Sequence, residues 1–274
     1  MRLLLLLATL LLPPATWGQS AGDTVVQAGW TRLAIVDART RRVHTQVNES
    51  ARGPLLPAAF DSAGLAVRPE PADTLGLAVR HFFTDTLALE LDVGLPPTIE
   101  ARGSGVATPP GLAGATTSID LGDPALNPLG EQRQWTPVLA LQYRFRPGAE
   151  LRPFVLAGVS YTWFSHTRVN PAFERRLDQR FGQYLATNAG KPGPTRAEAD
   201  TEPLWLPVAG AGAEWLPGGR WSLGATVGYA RPTLRPSLAI VASDGTVLSR
   251  TQAEVQVDSV VVALGIGYRF RLRD

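Results

Sequence analysis

Hydrophobic and polar side chains alternate with a period of two along eight stretches of this chain: residues 25–36, 73–83, 87–95, 135–145, 152–167, 204–215, 221–234 and 255–270. Period two sends successive side chains to opposite faces and predicts β-strands. The last stretch shows it most clearly. Asp258, Val260, Val262, Leu264, Ile266, Tyr268 and Phe270 share one face, apolar but for Asp258. Val257, Ser259, Val261, Ala263, Gly265, Gly267 and Arg269 share the other, which turns small or polar towards its C-terminal end. The first stretch is the least regular, because Trp30 falls on the same face as Arg32.

The connections alternate too. Short turns at 84–85, 146–150 and 217–220 separate long segments at 37–69, 101–133, 168–203 and 235–252. A soluble sandwich has no reason to obey that rule, whereas an outer-membrane barrel has short periplasmic turns and long external loops. The predicted fold is therefore all-β: an eight-stranded antiparallel transmembrane up-and-down β-barrel with four long external loops. Two local patterns lie inside those loops. Phe173, Leu177, Phe181, Tyr184 and Leu185 fall at helical spacing, which predicts a short amphipathic helix packed over the mouth of the barrel. Ser243, Asp244, Gly245 and Thr246 read as a hairpin tip, so the last two strands extend beyond the membrane.

If the apolar faces meet lipid, the opposite faces line a lumen. There they collect Arg80, Glu90, Asp92, Gln142, Arg144, Glu214 and Arg269 among many small side chains. Charges facing lipid would cost a few kcal/mol each near the midplane, whereas charges in a narrow lumen can pair. The aromatics cluster near strand ends. Trp135, Trp163, Trp205 and Tyr229 fall towards the long loops; Phe83, Tyr143, Phe145, Trp215, Trp221, Tyr268 and Phe270 fall towards the short turns. Two belts of amphipathic rings are expected where a membrane meets water.

Composition adds a leader and removes several functions. Arg2 is followed by a nearly all-leucine run at 3–12, then Pro13, Pro14 and small residues, as in a secretory signal peptide. Thr16 and Gly18 place the expected cleavage after Gly18, leaving residues 19–274 as a single barrel domain. Cysteine is absent, which excludes a lipoprotein anchor and disulfides. Without Arg2 the 26 basic residues become 25 against 24 acidic ones, with no basic stripe for nucleic acid. No metal-ligand cluster or phosphate loop is evident, so no cofactor is expected. The three histidines are His44, His81 and His166. Ser165 precedes His166, but adjacent strand residues point to opposite faces, which argues against a nucleophile–base pair and an enzyme. Glu90 and Asp92 share a face opposite Arg80 on the preceding strand, and a lumenal ion pair is the expected outcome.

In order and spacing the stretches VVQAGWTRL, DTLGLAVRHFFTDTLALELDVGLPP, WTPVLALQYRF, RPFVLAGVSYTWF, WLPVAGAGAEWLPGGRWSLGATVGYA and LGIGYRF resemble the OmpW family of small outer-membrane barrels. The resemblance implies a narrow, largely apolar channel through which small hydrophobic molecules cross the bacterial outer membrane. Its implied partners are outer-membrane lipid, those solutes, and the barrel-insertion machinery, which reads a terminal signal matched here by Gly265, Tyr268 and Phe270. The chain differs in its longer loops and in four residues after Phe270. The lumenal charges favour an alternative, a structural or adhesive barrel with a plugged lumen and partner-binding external loops.

Overall fold

The computed structural model describes residues 21–54, 56–111 and 117–271; the expected leader, its cleavage point and the tail beyond Arg271 lie outside them. Eight strands form the barrel wall: β1 (Asp23–Val47), β2 (Ala72–Phe82), β3 (Leu87–Gly94), β4 (Val138–Arg144), β5 (Leu151–Val169), β6 (Leu204–Trp215), β7 (Trp221–Ala230) and β8 (Val247–Arg271). Each pairs antiparallel with its sequence neighbours, and β1 pairs with β8 to close the ring. From Phe270 the pairs run through Thr24, His81, Leu89, Leu141, Ala157, Ala209 and Tyr229, returning to β8 at Val260, ten positions earlier in the chain. That stagger tilts the strands, as closure of a twisted sheet requires.

Alternation along each strand sorts the wall into two faces. The outward face exposes large apolar side chains over the whole circumference, among them Leu75, Leu141, Val155, Val227 and Ile266, with Trp205 reaching 71%. A soluble monomer rarely exposes patches of that size, but hydrocarbon solvates them. No helix among the described residues is long and apolar enough to cross a membrane, so the crossing falls to the strands. Glycine lets the closing seam come close. A Cβ on Gly29 would lie 2.0 Å from the Leu264 carbonyl oxygen and 2.4 Å from the Gly265 Cα.

The long segments are more ordered than their sequence patterns predict; the readings of 37–69, 101–133 and 168–203 as loops need correction, while 235–252 forms the expected hairpin. The segment 37–69 is not all loop: β1 continues to Val47, paired with β8 throughout. Register shifts between Ile35 and Asp37 and between Thr40 and Arg42 exchange its faces and so erase period two from the sequence. Within 101–133, the third strand resumes as Thr98–Ser104 and pairs with Ala66–Pro69 on one side and Gly130–Trp135 on the other. Within 168–203 and 235–252, Arg196–Thr201 pairs with Pro236–Val241, which pairs with β8 across the turn that holds Ser243–Thr246.

Over the mouth lie α1 (Pro171–Leu177), a π-turn (Asp178–Gly182) and α2 (Gln183–Asn188). The Asn170 side chain caps α1 by accepting the Ala172 N–H at 2.8 Å, and Pro171 has no N–H to leave unsatisfied there. Phe173, Leu177, Phe181 and Leu185 are buried against Ile119, Leu121, Leu126, Ile240 and Leu248. Each such side chain contributes about 1.5–3 kcal/mol by leaving water.

Candidate functional site

Inward-facing side chains divide the interior into a polar floor, a chamber and an outer vestibule. The floor forms because charged residues recur at inward positions near the short turns. Arg80 and Glu90 face each other across the β2–β3 pairing and form a buried ion pair. Glu214, 0% exposed, accepts from Arg144 Nη2 at 3.0 Å and lies 3.5 Å from Arg80 Nη1. Arg269 pairs with Asp23 at 3.4 Å across the closing seam. The Arg144 guanidinium covers the buried Phe82 ring at 3.9 Å, and Phe154 lies 5.6 Å from that of Arg80. Gln142 is fully buried beside them. Each isolated charge here would carry a penalty of several kcal/mol, so the groups hold one another in place.

Of the residues predicted to line the lumen, the structure brings Arg80, Glu90, Arg144 and Glu214 into one network. Arg269 joins a second pair below it, and Asp92 stands above, one inward position outward of Glu90. Asp23, Phe82, Arg152 and Phe154 also belong to the floor, and sequence reading passed over them. Phe82 lies two positions from Arg80 and so shares its face, but the partner that makes Asp23 matter lies 246 residues away.

Above the floor is a cavity of about 250 Å³ whose lining mixes small and hydroxyl residues such as Gly29, Thr31 and Ala78 with aliphatic ones such as Val138, Leu156 and Val261. Arg80, Glu90 and Asp92 form its lower boundary. Further outward, past Val255 and Val257, a second space of about 250 Å³ is lined mainly by apolar side chains from the rim strands and the helix, with Phe173, Leu177 and Phe181 among them. Polar contacts at this level are few; Thr45 meets Thr251 at 2.9 Å and Thr201 donates to Gln132 at 3.0 Å.

The wall beside the chamber is interrupted. Pairing between β3 and β4 ends at Asp92 and Val138 and resumes at Thr98 and Arg133. Across the gap the Gln134 N–H donates to the Pro97 carbonyl at 3.0 Å. Pro96, Pro97 and Pro137 have no N–H with which to continue the ladder. The chamber lining extends to Val93, Gly94, Leu95, Pro97, Gln134 and Thr136 at this break. The other edge of β3 stays closed, with the Leu95 N–H donating to the Leu75 carbonyl at 2.9 Å.

On the outside, Trp135 stacks on Trp163 at 5.8 Å and Tyr161 packs on Trp205 at 4.9 Å, near the external ends of their strands. Trp30 joins that level, and its indole N–H donates to Asp73 at 3.0 Å. Tyr229 is half exposed there. At the opposite end Trp221 and Phe270 each meet Tyr268 edge-on at 4.9 Å, and Trp215 is exposed nearby.

The expectation for Ser165 and His166 is overturned in geometry. His166 takes φ +52° where the β5 register slips between Ser165 and Arg168, and its Nδ1 comes within 3.2 Å of Ser165 Oγ. That oxygen also accepts from the Trp135 indole at 3.1 Å. His81 faces outward and meets the Thr24 hydroxyl at 3.0 Å; His44 lies 2.5 Å from Asp61, which also accepts from Arg42. No group of three His, Asp or Glu side chains among the described residues could hold a metal ion.

The sequence model of the OmpW family matches residues 21–188. Among solved structures, the outer membrane protein OprG from Pseudomonas aeruginosa is similar over 93% of this chain and 99% of its own, at 17% identity and a TM-score of 0.65. The outer membrane protein AlkL, determined in lipid bilayers, is similar over 94% of both chains, at 18% identity and a TM-score of 0.51. No curated protein matches by sequence.

Proposed function

The chain belongs to the OmpW family of bacterial outer-membrane β-barrels, and from that premise we propose that it is a passive conduit for small hydrophobic molecules, released sideways into the membrane. One observation carries this reading: two apolar spaces lie in series above an ion-paired floor, and the inner one reaches the break between β3 and β4. A solute entering from outside leaves water in the vestibule, where burial of apolar surface is favourable by about 25 cal/mol per Å². It then passes into the chamber. The charged floor opposes further axial movement, because a hydrocarbon would have to displace paired charges. The break offers an exit into lipid, whose apolar character matches the solute.

The remaining assignments follow the same reading. Residues 1–18 direct export and are removed, and 19–274 fold as one domain. Trp135, Trp163, Trp205 and Tyr229 form the external belt; Trp215, Trp221, Tyr268 and Phe270 form the periplasmic one and, with Gly265, present the signal for the insertion machinery. Outer-membrane lipid surrounds the barrel. The paired floor also favours a second reading, a sealed barrel whose ordered rim contacts a partner.

Liposome uptake of an apolar fluorophore separates the two. The conduit predicts uptake several-fold faster than in protein-free vesicles, and a marked fall on Ala78→Phe, which puts a ring into the chamber. Equal rates with and without the protein would leave only the sealed barrel.

A further inference from the structure

We propose that apolar solutes enter the vestibule through a slot in its side, between the outer end of β5 and the strand Arg196–Thr201, and not past the helix over the mouth; the proposal rests on the conduit reading and gives that conduit its entrance. Pairing between β5 and β6 ends at Thr162 and Leu204, beside the contact of Tyr161 with Trp205. Two local features end it. Pro203 has no N–H with which to extend the ladder, and β5 slips register between Ser165 and Arg168, where His166 takes φ +52°. Further outward, β5 pairs with Gly130–Trp135 along one edge, and Arg196–Thr201 pairs with Pro236–Val241 along one edge. The two remaining edges lie side by side, and among the described residues no strand pairing joins them. The Ala197 N–H donates instead to Glu174 of α1 at 3.0 Å, and the Thr201 hydroxyl donates to Gln132 at 3.0 Å. These contacts mark the two ends of the slot and leave Ala199 between them.

The vestibule reaches this slot. Thr167, Arg168 and Val169 line it on one lip, and Ala199, Asp200 and Thr201 line it on the other. Arg168 and Asp200 are nonetheless exposed to solvent, so the space opens between them. Arg168 reaches towards Glu131, at 3.6 Å on the strand along the paired edge of β5, and so away from the slot. Strand edges without a partner need water for their N–H and C=O groups, which keeps the slot wet. The mouth is built differently. Phe173, Leu177 and Phe181 roof the vestibule, and they pack against Leu56, Leu126, Leu185 and Leu248, which are almost fully buried and do not line it. Lys191 fastens the end of the helix to Asp244 and Thr246. A solute passing the helix would have to expose that apolar layer to water, whereas one passing the slot separates no strand pairing.

The test attaches a bulky, membrane-impermeant methanethiosulfonate at the slot or at the mouth and follows liposome uptake of a neutral apolar fluorophore. The chain has no cysteine, so an introduced thiol is the sole target. Asp200→Cys places the label on the outer lip of the slot, outside the vestibule; Thr187→Cys places it on the exposed side of α2, over the mouth. Mass spectrometry measures labelling, and heat-shifted gel migration checks that each variant is folded. Labelled Asp200→Cys should take up the fluorophore several-fold more slowly than the same protein unlabelled, and a reductant that removes the label should restore the rate. Labelled Thr187→Cys should keep the wild-type rate, and so should Lys191→Met, which frees the helix from the hairpin. Unchanged uptake by labelled Asp200→Cys, an equal loss in labelled Thr187→Cys, or a marked rise in Lys191→Met overturns the proposal. The conduit reading is judged separately, on the unlabelled wild type. Uptake that persists whatever is attached to Asp200→Cys rejects the slot alone, while wild-type uptake no faster than in protein-free vesicles rejects the conduit and the slot with it.

Discussion

Glu214 is the residue on which the floor turns. It contacts two arginines from two other strands, Arg80 on β2 and Arg144 on β4, and is wholly shielded from solvent. Removing its charge takes a buried carboxylate from both guanidinium groups at once, leaving Arg80 with Glu90. Glu214→Gln should therefore destabilise the barrel by about 3 kcal/mol or more, read as a lowered urea midpoint in lipid vesicles. A loss below about 1 kcal/mol would mean that the floor is held chiefly by the packing of Phe82 and Phe154. Parity along each strand made this residue legible as inward-facing. Its partners were not legible, because each comes from a different strand and the spacing between them depends on the stagger of the ring. Ser165 and His166 show the limit of parity. A single positive φ brings neighbours together that a regular strand holds apart.

At the level of elements, the eight membrane-crossing segments were readable because hydrocarbon on one side and a narrow lumen on the other impose strict alternation. Outside the membrane that pressure disappears. The outer parts of β1 and β8 are wet on one face and interrupted by bulges, so pairing across the seam maintains them where periodicity does not. The helix over the mouth was legible from Phe173, Leu177, Phe181 and Leu185, since one buried stripe needs no knowledge of its neighbour. Its attachment was not. Lys191, just beyond α2, pairs with Asp244 at the tip of the last hairpin. The Lys191 hydrogen bond, then the Thr246 backbone amide, pull the Asp244 carboxyl from its ordinary 3.8 down to about 2. A depressed carboxylate contributes its support above the unfolded value and loses it as pH falls through the folded one. The tether between helix and hairpin should thus be intact above pH 4 and released between about pH 4 and 2. Protection of the Gly245 and Thr246 amides, measured against their intrinsic exchange rates, should fall over that window in wild type; in Lys191→Met it should already be low at pH 6.

For the whole molecule, the arrangement of an open outer half above a paired inner half predicts how ions behave. A planar bilayer containing the protein should carry no steady ionic current, because Arg80, Glu90, Arg144 and Glu214 occupy the lumen with one another. Replacing Arg144 and Glu214 together by alanine should introduce a small persistent conductance. A steady ohmic current through wild type would show instead that the floor stands open. Flux of apolar solutes is expected without such a current, since their exit lies between β3 and β4 and avoids the floor.

The sequence by itself determined the number of crossing strands, their inward and outward faces, and the side on which turns are short. All of these follow from local rules: period two, turn chemistry, and the cost of a charge in lipid. Tertiary structure alone decided that Arg80, Glu90, Arg144 and Glu214 meet in one network, that Arg80, Glu90 and Asp92 border one chamber, and that the pairing of β3 with β4 breaks beside the segments carrying Pro96, Pro97 and Pro137. Those outcomes depend on which residues share a level once eight tilted strands are staggered by ten positions around a ring, and only the closed ring sets that stagger.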